Sequence, residues 1–344
     1  MLRLFAAFRE LARPPVPFSG SRNQLDTPRT APENHACVYR RSARYSHTRV
    51  ERTLAEITSL SSAVSSLIHD GDFLSMEGFT HLIPFAAGHE VIRQRRRNLR
   101  LVRMTPDIIY DQMIGAGCAV KLIFSWGGNP GVGSLYRLRD AVEHGWPHAL
   151  EIEEHGHGDL SNAYVAGASN IPFAVIRAYA GSDLPRYNDR IRFVECPFTG
   201  ERLAAVPAVR PDVAVIHAQK ADRKGNVLLW GILGVQKEAV LASKRAIVTV
   251  EEIVDDLNAP PNACVLPHWV ISAVCHVPGG ALPSYAHGYY ERDNRFYQAW
   301  DGISKDREKF QQWIKRHILD TEDFEEFKRV LHEDAAETIG GKSR

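Results

Sequence analysis

The chain has 344 residues, 44% of them hydrophobic, enough to bury a large core in one big domain or two smaller ones. Its 42 basic residues nearly cancel its 41 acidic ones, so no global field draws it to nucleic acid or to an anionic membrane. Its apolar runs are short and interrupted, which argues against a bilayer span, and five cysteines (Cys37, Cys118, Cys196, Cys264, Cys275) without CxxC spacing suit a reducing, cytoplasmic setting.

Residues 1–50 carry nine arginines against three acids, and Pro15, Pro17, Pro28 and Pro32 interrupt any regular element. The opening MLRLFAAFRELAR has the amphipathic character of an organelle transit peptide, but no clear cleavage context follows. The segment reads as a poorly ordered extension ahead of a globular domain over 51–344.

From Thr53 to His69 the pattern is helical, with Leu54, Ile57, Leu60, Val64, Leu67 and Ile68 in one apolar stripe. Asp70-Gly71-Asp72 then turns the chain into a buried strand from Phe73 to Met76. At Gly78 the backbone can take φ > 0 or approach a ligand closely. Pro84 sits at the first turn of an amphipathic helix with Ile83, Ala87, Val91 and Ile92 on one face. A strand delivered through a glycine turn into a helix N-terminus aims free N–H groups above the sheet. On physics alone this is either a ligand loop or a plain strand-to-helix connection.

Leu99–Met104 reads as the next strand, Thr105-Pro106-Asp107 as the cap of a helix running to Met113, and Val120–Trp126 as a further strand. Between that strand and a helix over Leu135–His144 lie Gly127, Gly128, Gly131 and Gly133, marking close backbone approach. Tyr136 occupies the third glycine position of a dinucleotide fingerprint, and no Gly-Lys-Ser/Thr follows for a phosphate loop. The stretch reads as a cradle for an anion or a carbonyl, with Ser134 as a simple N-cap the plain alternative.

Glu151 to Asp159 concentrates metal-capable side chains, and in extended backbone His155, His157 and Asp159 would share a face. No second ligand pair at recognisable spacing follows, so no metal is expected and a carboxylate lining an active site is the better reading. A helix and a short strand, Phe173–Ala178, come next, and residues 185–207 read as an irregular excursion with an edge strand. Asp212–Gln219 is a near-continuous apolar run, as a strand covered on both faces requires. His217 and Gln219 fall at its C-terminal end, where open α/β sheets place ligands, although a lone histidine there is often structural. After a turn at Asp222–Asn226, Val227–Trp230 and Arg245–Val250 read as strands, Pro278-Gly279-Gly280 opens a loop, and Asp293 to about Leu331 is helical and charged. Alternating strands and helices argue for an α/β fold with a mostly parallel sheet covered on both faces and a helical C-terminal segment.

From about Leu60 onward the chain resembles the A (alpha) subunit of glutaconate-type CoA-transferases of family I. Gly78-Phe79-Thr80 with Pro84 is similar to that family's Gly-Gly-Phe-Thr…Pro motif, and Asp111 to Gly117 to its Asp-x-x-Ile-Gly-x-Gly segment. Gly131-Val132 before Arg137 and Arg139, then Pro211-Asp212-Val213-Ala214, Ile216-His217-Ala218-Gln219, Gly225, Trp230-Gly231 and Glu251-Glu252-Ile253, follow in family order. The resemblance implies an open, doubly wound α/β fold and assembly with a homologous B subunit that carries a nucleophilic glutamate. It implies CoA transfer between an acyl-CoA and a carboxylic acid through a glutamyl thioester on that partner, with the coenzyme A thioester a substrate and no resident cofactor. This chain would then supply the wall around the reacting carbonyl: Gly78, Phe79, Thr80 and His81 in one loop, Asn129, Gly131, Gly133 and Ser134 in the other, with His217 and Gln219 nearby. Glu77 stands where the family has its first Gly, and His81 and Leu82 replace polar residues, pointing to a less charged acyl group than glutaconate. The alternative is a hydrolase of the same superfamily that opens a ring in a CoA-linked substrate, with Glu154 as its acid.

Overall fold

The computed structural model describes residues 55–261 and 263–340, with side chains through Asp334, so the extension read at 1–50 lies outside the described residues. The first half of the domain alternates strand and helix: β1 (Glu56–Ile57), α1 (Leu60–Leu67), β2 (Phe73–Glu77), α2 (Phe85–Arg93), β3 (Leu99–Arg103), α3 (Ile108–Gly115), β4 (Ala119–Phe124), α4 (Tyr136–Glu143), β5 (Glu151–Glu154) and α5 (His157–Ala168). A short excursion follows with β6 (Phe173–Ile176), α6 (Leu184–Tyr187), β7 (Arg192–Glu195) and β8 (Arg202–Pro207). The chain re-enters the sheet with β9 (Val213–Asp222), β10 (Val227–Leu229), α7 (Gln236–Ala242), β11 (Arg245–Val254), β12 (Cys264–Leu266) and β13 (Ala273–His276). It ends in α8 (Asn294–Ser304), α9 (Arg307–Ile314) and α10 (Phe324–Gly340).

Eight strands run parallel in the order β1-β13-β11-β9-β2-β3-β4-β5, and β10 and β12 add an antiparallel branch at β9. From β2 the chain winds outward through β3, β4 and β5, then returns to β9 on the other side of β2 and winds outward again. That reversal between β2 and β9 is the switch point where open α/β sheets leave a crevice beyond their carboxyl ends. Period-two alternation sorts the central strands between two cores. Leu74, Met76, Val213, Val215 and Ile247 face α1–α3 and the aromatic residues Phe296, Trp300, Phe310 and Trp313 of the C-terminal helices. Ala214, Ile216, Val248 and Val250 face Leu160, Ala163, Ala239 and Val240 of α5 and α7.

Three local expectations change. The helix expected from Thr53 begins only at Leu60, where the Ser59 hydroxyl accepts from the Ser62 N–H at 3.1 Å, because the preceding residues pair with β13 as an edge strand. The strand expected at Phe173–Ala178 forms as β6, but residues 185–207, read as an irregular excursion with one edge strand, supply two strands, β7 and β8, that complete an antiparallel sheet in the order β6-β8-β7. Ser134 does not cap α4. The buried Asp111 carboxylate does so from α3, its Oδ1 accepting from the N–H groups of Arg137 (2.8 Å) and Leu138 (2.9 Å) while Oδ2 accepts from Trp300 Nε1 (3.1 Å). A buried helix start must satisfy its donors, and the nearest oxygen in space is one helix away in sequence.

Asp111→Ala strips two helix N–H groups and an indole N–H of their acceptor, so urea unfolding should show a loss of about 2 kcal/mol or more.

Candidate active site

Beyond Glu77 the chain turns back on itself within five residues, and Leu82 N–H donates to the Tyr285 carbonyl at 2.9 Å. Thr80 and Leu82 hold left-handed backbone, with φ of 58° and 52°. Gly78 is required for close approach and not for a positive φ: a Cβ there would lie 2.7 Å from the Leu82 carbonyl oxygen and 2.9 Å from that of His81. Buried Arg103 at the end of β3 secures the turn, its Nη2 donating to the Gly78 carbonyl at 2.7 Å and its Nη1 to Asp107 Oδ1 at 3.0 Å. The Glu77 carboxylate accepts from Met104 N–H at 3.0 Å, and burial pushes its pKa up to about 7 even with Arg103 close by. Among the described residues no acceptor engages the N–H groups of Phe79 and Thr80.

A cavity of about 470 Å³ opens beside this turn, walled by residues just past the carboxyl ends of neighbouring strands. Phe79 and Thr80 come from the turn, Thr105 and Asp107 follow β3, Ser125, Trp126 and Pro130 follow β4, and His157 opens α5, with Arg103 behind. Phe79 and Trp126, 36% and 48% exposed, make apolar walls. His157 Nδ1 lies 2.9 Å from Ser125 Oγ, whose hydroxyl donates to the Met104 carbonyl at 2.6 Å. The turn and the glycine-rich loop therefore meet at one site. That loop is anchored from α8 and the stretch before it: Asn129 Nδ2 donates to the Tyr297 carbonyl (2.7 Å), and Arg292 Nη2 to the Pro130 carbonyl (2.9 Å) while lying 3.8 Å from the Tyr297 ring centre.

Several candidate binding residues stand elsewhere. His81 is buried, with Nε2 accepting from His287 N–H (2.9 Å), which leaves Nδ1–H to donate to the Ile232 carbonyl (3.1 Å). Burial drops its pKa to about 4, so it is a neutral staple between two loops. Leu82 is fully buried as well. Neither residue lines the cavity, so the argument from their polarity to a less charged acyl group loses its basis.

His217 is buried under the site, its Nδ1 on Thr249 Oγ1 (2.8 Å) and its Nε2 on Glu251 Oε1 (2.6 Å). Burial raises the pKa of Glu251, but bonds from His217, Tyr290 and Gly279 N–H outweigh it and hold this carboxyl below its ordinary range. Gln219 closes the β9–β10 hairpin, donating to the Trp230 carbonyl (3.0 Å) and accepting from Trp230 N–H (3.2 Å). Both side chains support the site's loops and do not face the cavity.

Asn129 is buried in its anchor to Tyr297, whereas Gly131 and Gly133 are exposed and Ser134 half-buried, and none of the four lines the cavity, to which this loop contributes Pro130. Gly131 has φ 76° and so a backbone reason to be glycine, whereas a Cβ on Gly133 would meet the end of the Asp301 side chain, which can swing aside. Glu154 is exposed on the edge strand β5 and does not line the cavity. His155 bonds Glu153 (2.9 Å) and His157 begins a helix, so the face on which they would meet Asp159 does not form. No cluster of three metal-capable side chains exists among the described residues. Arg103, Thr105, Ser125 and Trp126 are not among the residues expected from the sequence. Their one signal is position, at the carboxyl ends of two correctly read strands.

A family model described as Coenzyme A transferase matches residues 57–276. The chain is 72% identical over 280 residues to the A subunit of the 3-oxoadipate CoA-transferase of Pseudomonas knackmussii (strain B13), covering 81% of this chain and 99% of that one. It is 30% identical over 298 residues to the A subunit of the glutaconate CoA-transferase of Acidaminococcus fermentans, covering 81% and 92%. The crystal structure of that enzyme superposes with a TM-score of 0.76 over 80% of this chain and 93% of the other.

Because the folded-state pKa of Glu77 lies above its ordinary 4.5, the folded protein holds that proton more tightly than the unfolded chain. The stability this confers is complete below about pH 4.5 and lost as pH rises to about 7. Glu77→Gln should therefore gain on the wild type between pH 4.5 and 7 by on the order of 3 kcal/mol, read from denaturant midpoints across that range.

Proposed function

The chain belongs to the coenzyme A transferase family, and on that premise we propose that it is the A subunit of a cytoplasmic two-subunit enzyme moving CoA onto a dicarboxylic 3-oxo acid such as 3-oxoadipate. Likeness to two CoA-transferase A subunits over four-fifths of the chain favours transfer over ring hydrolysis, and the exposed position of Glu154 outside the cavity accords with that. The observation that carries the reading is a cavity with unengaged backbone donors on one wall and, among the described residues, no free carboxylate. Its one lining acid, Asp107, is buried and bound to Arg103.

In this reading a glutamate of the B subunit is the nucleophile. Its carboxylate attacks the acyl-CoA carbonyl and expels the CoA thiolate, leaving a mixed anhydride. The thiolate then attacks the glutamyl carbonyl of that anhydride, releasing the donor acid and forming a glutamyl-CoA thioester. The acceptor carboxylate attacks this thioester, and the same two steps run in reverse order. Every addition puts negative charge on a carbonyl oxygen, and on this reading the N–H groups of Phe79 and Thr80, unengaged among the described residues, receive it. Phe79 and Trp126 hold the acyl chain and exclude water, while Gly131, Gly133 and Ser134 form the rim toward the partner. The CoA thioester is substrate, and the scheme needs no metal or resident cofactor. Among the described residues no helix is long and apolar enough to cross a membrane.

The isolated chain should transfer no CoA, and activity should appear on co-expression with a B subunit. Mass spectrometry after incubation with acyl-CoA should find the CoA adduct on the partner chain, and an adduct on this chain would refute the assignment. Gly78→Ala forces the turn off the Leu82 and His81 carbonyls, so kcat of the assembled enzyme should fall about 100-fold with assembly retained.

A further inference from the structure

Resting on the acyl cavity proposed above, we infer that His157 binds the free carboxylate at the far end of a dicarboxylic substrate and so sets the preference for diacids. The two formal charges lining the cavity, Arg103 and Asp107, are buried and bound to one another, and the one unpartnered N–H of Arg103, on Nε, is itself sealed from solvent, out of reach of an incoming anion. Phe79, Trp126 and Pro130 are apolar, and Thr80, Thr105 and Ser125 supply hydroxyls alone. His157 is the exposed lining side chain with a ring nitrogen that has no partner among the described residues, and on taking up a proton there it gains both an N–H and a positive charge to offer a carboxylate.

The ring is held for that task. The Ser125 hydroxyl gives its proton to the Met104 carbonyl, so its oxygen can only accept from His157, which assigns the proton to Nδ1. Nε2 is left as the ring atom with no partner among the described residues, and in the imidazolium form it becomes a second N–H donor beside a positive charge. The Phe79 ring packs against the imidazole at 6.1 Å between centroids, in an edge-on arrangement that fixes the ring between the anchor and the apolar wall. A carboxylate reaching this end of the cavity brings its proton or draws one to Nε2, and the imidazolium then meets it with a charge-assisted hydrogen bond. An acyl chain ending in a methyl group leaves that donor to water.

The test uses the complex of this chain with its B partner, offered two acceptor acids of equal chain length, 3-oxoadipate and 3-oxohexanoate. His157→Ala should raise KM for 3-oxoadipate about tenfold or more with kcat largely kept, and leave kcat/KM for 3-oxohexanoate within about threefold. Ser125→Ala, which keeps the imidazole but frees it, should raise KM for the diacid by a smaller factor and spare the monoacid. If His157→Ala fails to assemble, His157→Gln provides the same comparison, with a smaller diacid-specific loss. Equal losses on both acids, or no change on either, would overturn the role given to His157. A wild-type complex that transfers CoA to neither acid would instead overturn the acyl-cavity reading.

Discussion

The guanidinium of Arg103 ties together everything at the carboxyl edge of the sheet. It projects from the end of β3, next to the central strand β2, and bonds the carbonyl of Gly78 and the carboxylate of Asp107. A buried cation is costly unless paired and hydrogen-bonded, and here the carboxylate, the carbonyl and the face of Tyr110, 5.5 Å from the ring centre, supply that compensation. In return the turn after β2 is held with Thr80 and Leu82 in left-handed backbone, each a strain on the order of 1 kcal/mol or more. Such a turn persists where its surroundings over-determine it. Arg103 from below, Tyr285 from the side and the His81 staple from above do so.

The second loop of the site is held from the far end of the chain. Tyr297 and Arg292 take up Asn129 and Pro130, and the Asp111 carboxylate that caps α4 also receives the indole of Trp300. The aromatic residues of α8 and α9 pack into the same core as β2 and α3. The C-terminal helices are thus a buttress for the glycine loop as well as a cover for the sheet.

Much of the fold was legible because it is local. The apolar run of β9, the strand before Gly78 and the glycines between β4 and α4 each carry their signal in a few adjacent residues. The pairing of β7 and β8 with the expected strand β6 escaped because these strands are four and six residues long and partly exposed, so no clean alternation marks them. The site was legible in outline and misread in detail. The location of Gly78 was right, yet its reason is contact with its own turn. His81, His217 and Gln219 stood at positions suited to ligands, but their partners, Ile232 and His287, Thr249 and Glu251, and Trp230, come from loops and strands that sequence spacing does not bring near. Asp111 capping α4 is the same case: a bond between α3 and α4 has no periodicity to betray it.

Because Arg103 grips the turn from inside the protein, the outward side chains of Phe79, Trp126 and His157 bear little of the weight of holding its backbone. On the proposed reading, replacing them would change the lining of the cavity while the amides of Phe79 and Thr80 keep their positions, so choice of acid and support of the turn rest on different side chains.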